Sequence, residues 1–277
     1  MSASAAQVAR FLEESGRLET FISAPGDDPD GILLTGVNVD QDSGPADITW
    51  RRAPVASPAA VTAGLLLCAG PVRGDPAPGH AVAVCAAPRL AMAEVLNEFF
   101  AELDVDRDPV YAEPKLAETV ARNQSWVKNA VIGPGVTIAQ NVTIGCSGMG
   151  WERDASGRLI RFPQVGGVVL EADVHVAAHA TVQRGALGDT FVRRGAKIGP
   201  HVNVGHNVEV GEDTLLTGHT QLGGSCRIGA RVVLWQSAAV ANGVTVGDDA
   251  VIGMCSCVRE DVGPGEVWAG NPARRLR

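Results

Sequence analysis

The chain has 277 residues, 45% of them apolar, which excludes wholesale disorder and leaves room for one large or two modest domains. Asp and Glu outnumber Lys and Arg by 31 to 23, a formal net charge of −8, which argues against a general nucleic-acid binder. No run approaches the ~18 consecutive apolar residues of a membrane span, and Met1 to Arg10 lacks the basic-then-apolar order of a secretory signal. The six cysteines (68, 85, 146, 226, 255 and 257) form neither CxxC pairs nor a compact framework. They read as reduced, mostly buried small residues of a cytoplasmic protein.

Residues 1–110 read as an α/β module. Ala5 to Glu14 has a helical pattern. Gly31 to Val39 and Asp47 to Trp50 read as strands between Gly, Asp and Pro turns. Leu65 to Ala69 and Ala81 to Ala86 read as buried strands flanking a turn-rich loop. Arg89 to Leu103 carries Leu90, Ala93, Leu96, Phe99 and Phe100 along one side of a helix. Residues 104–125 are charged and interrupted by proline, and 111–125 are expected to be a linker.

From Trp126 a repeat takes over. Stepping by six from Val192 gives Ile198, Val204, Val210, Leu216, Leu222, Ile228, Leu234, Val240, Val246, Ile252 and Val258. Ile, Leu and Val are only 65 of the 277 residues, so this unbroken run is not chance. Four places after each comes a small residue, and Gly often follows the aliphatic. A period of six fits neither a 3.6-residue helix nor an alternating hairpin. It fits a parallel β-helix of triangular section, with three hexads per coil and coils about 4.8 Å apart. The aliphatic points inward, the small residue fills the corner, and the glycine is expected to relax the backbone there. Earlier hexads are expected at Trp126, Ile132, Ile138, Ile144, Leu170, Val176 and Val182. Ser147 to Gly167 (the 147–167 excursion) and the four-residue insertion Gly188 to Phe191 break the register and are candidate substrate loops.

His206 lies two places after Val204, so it should face outward from a flat side, and Gly224 is the same position one coil on. A histidine base beside an exposed backbone N–H suits direct acyl transfer from a thioester: the imidazole takes a proton from the attacking amine, and the N–H stabilises the oxyanion. A solvated surface histidine is the competing reading. His179, His201 and His219 each lie three places after an inward aliphatic and should stack one coil apart. Lining of an acyl-transfer cleft is favoured over plain surface or a metal. Trp235 follows an inward aliphatic and should project outward, as it would at a subunit contact.

Three motifs carry a resemblance: Phe162-Pro-Gln-Val-Gly166, Thr181-Val-Gln-Arg-Gly-Ala-Leu-Gly-Asp-Thr190, and Val204-Gly-His-Asn-Val-Glu-Val-Gly211. With Ser147-Gly-Met-Gly-Trp151 and Ile48-Thr-Trp50, they resemble the lipid A-pathway UDP-3-O-acylglucosamine N-acyltransferases of the hexapeptide-repeat superfamily. The resemblance implies a mainly β fold, a left-handed parallel β-helix over 126–277 behind an N-terminal acceptor-binding domain. It implies His206 as general base and Gly224 as oxyanion donor. Where the family has an orienting aspartate this chain has Gly199, and Asp189 is the expected substitute. Trp50, Trp151, His201, His219 and Asn207 are assigned to substrate binding.

Val267-Trp-Ala-Gly-Asn-Pro-Ala-Arg-Arg-Leu-Arg277 resembles the closing segment of coenzyme-A-dependent hexapeptide transferases. That implies Asn271 and Pro272 beside the pantetheine, with Arg274, Arg275 and Arg277 meeting phosphates. The lipid A enzymes carry a further helix for acyl carrier protein, with no counterpart here, so acyl-CoA is the favoured donor. The resemblance also implies a homotrimer. The expected activity is N-acyl transfer to an amino sugar nucleotide or another small amine, without a bound metal or permanent cofactor. The alternatives are an O-acyltransferase on the same scaffold, a metal-dependent hydratase-like trimer resembling the γ-class carbonic anhydrases, and a non-catalytic binding scaffold.

Overall fold

The structure, a computed structural model, describes residues 2–38 and 43–277. The chain divides into two compact units, one of residues 1–105 with 149–165, the other of 106–148 with 166–277.

The first unit is built on a five-stranded sheet ordered Leu18–Ser23, Ala81–Cys85, Leu65–Cys68, Asp47–Arg51, Gly36–Val37. All neighbours are parallel except Leu18–Ser23 against Ala81–Cys85. The two central strands are buried along their whole length, as the continuous apolar runs require. Helix α1 (Ala5–Glu14) has the expected bounds because Ser4 and Gln7 close a capping box at its start. Helix α2 (Pro88–Phe99) is shorter than expected, its last predicted turn tightening into a 3-10 helix at Ala101–Leu103. The strand expected over Gly31 to Val39 is broken into Leu33–Leu34 and Gly36–Val37, and Val39 lies outside the described residues. The 147–167 excursion, expected as a loop, contains an antiparallel hairpin, Trp151–Arg153 with Leu159–Arg161. It packs on α2, where Asn97 Nδ2 donates to the Arg161 carbonyl at 2.9 Å and Arg89 pairs with Glu152.

The second unit is a three-sided prism of parallel strands. Face one runs from Val110–Tyr111 to Thr245–Val246, face two from Thr137–Ile138 to Ala273–Arg275, and face three from Trp126–Val127 to Cys257–Val258. Its core is one continuous column. All twelve aliphatics at sixfold spacing from Val192 to Val258 are buried, and so are the twelve small residues four places on. Each strand is only about two residues long, so backbone hydrogen bonds between coils and the inward side chains share the work of holding the coils.

The hexad glycines serve a different purpose from the one expected. They do not have positive φ. A Cβ at Gly205 would stand 2.7 Å from the Leu222 carbonyl oxygen and 2.9 Å from the Gly224 nitrogen, so glycine there permits the close approach of the next coil. The left-handed backbone falls two places later, at Asp, Asn, His, Ser, Arg, Cys and Gly. The first three tolerate that region better than most residues with a Cβ.

Three further expectations are corrected. The first inward residue is Val127, which is buried, while Trp126 is 38% exposed. Val127 pairs with Ile144 and lies five residues before Ile132, so the first coil is one residue short. The expected linker is structured. Val110–Tyr111 adds a strand to face one, and α3 (Lys115–Arg122) lays the buried Val120 on the core column. At the other end Trp268, read from the sequence only as part of the closing segment 267–277, is 8% exposed and packs into the column beside Ile252. Its indole N–H donates to Glu266 at 2.8 Å.

The inward and outward positions of one strand should differ sharply in energy. Ile228→Ala is expected to lower unfolding stability by about 2–5 kcal/mol. Arg227→Ala, which removes only an exposed ion pair to Glu209, should cost less than about 1 kcal/mol. Chemical denaturation of both variants checks this, and equal costs would contradict the prism.

Candidate functional site

Faces three and one meet at a corner that differs from the other two. In successive coils the chain passes this corner after Cys146, after Gln183, after Val204 and after Leu222. At the first passage it leaves for the 147–167 excursion. At the second it makes the enlarged turn 184–189. His206 occupies the third, and Gly224 the fourth. Every departure from the sixfold register after the first coil therefore falls in one column of one edge. His206 sits in the corner turn rather than on a flat side.

The imidazole of His206 lies across Gly224. A Cβ on residue 224 would stand 2.5 Å from His206 Nε2 and 2.6 Å from Cε1, so only glycine leaves the ring room. Gly224 is buried beneath the ring, and among the described residues its N–H has no hydrogen-bond partner. His206 Nδ1 is 3.0 Å from Asn207 Oδ1. Asn207 Oδ1 also accepts from the Ala186 N–H at 3.0 Å, Asn207 Nδ2 faces the Gly188 carbonyl at 3.4 Å, and the Asn207 N–H donates to Thr190 Oγ1 at 2.9 Å.

Asp189 does not orient His206. Its Oδ1 accepts from the Gly167 N–H at 2.6 Å, tying the enlarged turn to the coil below. Arg184 is buried, and its Nε donates to the Gly166 carbonyl at 2.7 Å. A Cβ at Gly166 or Gly185 would collide with the Gly188 carbonyl, which explains the glycines of both motifs. Asn207, expected to bind substrate, has its amide committed to His206 and the turn instead. Sequence reasoning missed this role, although an asparagine three places after an inward aliphatic and a four-residue insertion one coil below were both visible.

His179, His201 and His219 stack as expected, with ring centroids 4.8 Å apart in each step and interplanar angles of 6° and 4°. Their column is the corner between faces two and three, and each has left-handed φ, at +62°, +56° and +61°. They do not share an edge with His206. Parallel rings keep their nitrogens parallel, so the three do not converge on one ion. Among the described residues no group of three or more His, Cys, Asp or Glu is arranged to hold a metal.

In the first unit Trp50 is half-buried and tilts against Phe162, centroids 6.4 Å apart, with the Arg89 guanidinium 5.1 Å from the Phe162 centroid. Trp151 is 42% exposed on its hairpin. In the second, Asn271 and Pro272 form the exposed tip of an antiparallel turn between Val267–Gly270 and Ala273–Arg275. Arg274 pairs with Glu260 and Arg275 with Glu266, each at 3.0 Å, so both cations, expected to meet donor phosphates, already have carboxylate partners. No cysteine with a resolved shift is an activated nucleophile. Burial pushes the thiols of Cys68, Cys146 and Cys226 up, and that of Cys85 up to about 12.

This architecture is the left-handed parallel β-helix. It is shared with UDP-N-acetylglucosamine O-acyltransferase from Moraxella catarrhalis, at a TM-score of 0.50 and 18% identity, over 61% of this chain and 70% of that one. The sequence itself is similar to enzymes named UDP-3-O-acylglucosamine N-acyltransferase, as the motifs implied. Identity is 38% over 150 residues with the Methylococcus capsulatus protein, covering 53% of this chain and 41% of the relative. It is 35% over 133 residues with the Helicobacter hepaticus protein, covering 48% and 41%. The matched stretch thus spans about two fifths of the relatives' length. No protein-family model matches the chain.

The fit of ring on glycine makes a direct prediction. Gly224→Ala forces the His206 ring out of its place, and the crystal structure of the variant should show it rotated by a rotamer. An unmoved ring would contradict the packing described.

Proposed function

We propose that the protein is an N-acyltransferase that moves an acyl group from a thioester to the amine of a sugar nucleotide. The observation that carries this is the His206 ring lying over Gly224 at the edge where all insertions of the prism gather. His206 accepts the proton of the attacking amine. The Gly224 N–H, which has no partner among the described residues, faces the oxyanion of the tetrahedral intermediate. Collapse of that intermediate expels the thiolate, and the imidazolium returns its proton to the leaving sulfur. No covalent enzyme intermediate is needed, in keeping with the raised thiol pKa values.

The names of the sequence relatives support an acylated glucosamine nucleotide as acceptor. Trp50 and Trp151 are the aromatic surfaces proposed to hold it, while His201 and His219, on a different corner from His206, are left out of the acyl-transfer cleft. The donor is acyl-CoA or acyl carrier protein. The ion pairs of Arg274 and Arg275 weaken the argument for coenzyme A that the segment's likeness suggested, so both donors belong in the assay.

Face two presents Leu215, Val233, Trp235 and Val251 outward, and Trp235 is 43% exposed. This apolar strip supports a homotrimer with face two at the contact. Light scattering should give a trimeric mass for the wild type and a lower mass for Trp235→Glu. A monomeric wild type would overturn the assembly.

Thiol release from acyl-CoA and from acyl carrier protein, measured with amino and hydroxyl sugar nucleotides, tests the activity. His206→Ala should lose about 10²–10⁴ in kcat with any amine that the wild type accepts. Equal activity of variant and wild type would overturn the assignment of the base, and turnover of hydroxyl acceptors alone would overturn N-acylation.

A further inference from the structure

We propose that Asn207 is a positioning residue that locks the tautomer of His206, and that the enlarged turn from Ala186 to Thr190 exists at this corner to hold it. The proposal deepens the reading of His206 as base and rests on it.

The Ala186 N–H can only donate, so the atom of Asn207 it meets at 3.0 Å is the amide oxygen. The Gly188 carbonyl can only accept, so the amide nitrogen lies on its side, at 3.4 Å. These two backbone groups fix which end of the asparagine is which. The same Oδ1 stands 3.0 Å from His206 Nδ1. An amide oxygen carries no hydrogen, so Nδ1 must carry one. A neutral imidazole has a single N–H, so the lone pair is left on Nε2, the nitrogen beside Gly224. A base at this edge needs its lone pair there.

The turn supplies both backbone groups. At an ordinary corner the inward residues are six apart, as Val204 and Val210 are, whereas Val182 and Val192 across this turn are ten apart. Thr190, fully buried, adds the third anchor by accepting the Asn207 N–H. Asp189 holds the turn down on Gly167. The asparagine itself sits at φ +58°, which its residue type tolerates, so the lock is built without a strained side chain. A carboxylate in this place would select the same tautomer, but with its second oxygen set against the Gly188 carbonyl oxygen. The amide does so without adding a charge to the site.

The test reads the tautomer directly, by long-range 1H–15N NMR of the intact protein labelled in its histidine rings. Wild-type His206 should be protonated at Nδ1 and bare at Nε2 when neutral. Asn207→Gly removes the amide at a position where glycine accepts the positive φ, and should spread the proton over both nitrogens. Asn207→Asp should keep the wild-type pattern. With acyl donor and acceptor, Asn207→Gly should lower kcat by at least about tenfold with KM unchanged, part of the 10²–10⁴ a base contributes. Asn207→Asp should restore most of it.

A wild-type signal showing the proton on Nε2, or an unaltered tautomer in Asn207→Gly, overturns the proposal. The wild-type spectrum needs no variant to fold and no substrate to turn over. If His206→Ala retained activity, the base would be lost while the spectrum still decided the lock.

Discussion

The structure depends on one packing constraint. Each coil must place an aliphatic side chain from every face into a triangular interior, directly above its equivalent one coil below. For strands of two residues, that interior and the backbone hydrogen bonds between coils hold one another in place. Backbone hydrogen bonds between coils are satisfied only while that interior stays in register, and the register is what turns a sequence position into a position on an edge. His206 and Gly224 meet because they are eighteen residues apart. The three stacked histidines and the Gly224 contact are two results of the same coil spacing, on two different corners.

That constraint also explains where variation is tolerated. An insertion in a face would break the interior column. An insertion at a corner leaves both flanking strands in place, and the chain uses one corner for both the 147–167 excursion and the enlarged turn 184–189. Residues of the enlarged turn are thereby collected beneath His206. Some are used for structure, as with Asp189 on Gly167 and Arg184 on Gly166. Asn207 joins the turn to the imidazole. Chemistry at the edge of a solenoid is compatible with a rigid column because the inward aliphatics lie in the faces, outside the turns that carry it.

Much of this was legible in the residues. The period of six located every inward side chain from Val192 to Val258, and it placed the histidine stack and the His206–Gly224 pair one coil apart. It failed where neighbours run out. In the first coil, stepping back six from Ile132 lands on Trp126, and only the pairing of Val127 with Ile144 shows that the coil is one residue short. The segment 111–125 reads as linker because only Tyr111, Leu116 and Val120 pack on the column, too few to give a periodic signal. The strand Leu18–Ser23 has no buried residue to mark it. The orienting partner of His206 was sought among carboxylates, and Asp189 was the nearest in register. The actual partner is an amide whose orientation is set by two backbone groups, and backbone groups leave no mark in a sequence.

The central claim is that acyl transfer occurs at the corner of faces three and one, between His206 and Gly224. A crystal structure of the protein with an N-acylated sugar-nucleotide product tests it most directly. The account predicts the acyl carbonyl oxygen within hydrogen-bonding reach of the Gly224 N–H, at about 3 Å, and the amide nitrogen beside His206 Nε2. A product bound at another edge of the prism, with the His206 ring empty of ligand, would contradict it.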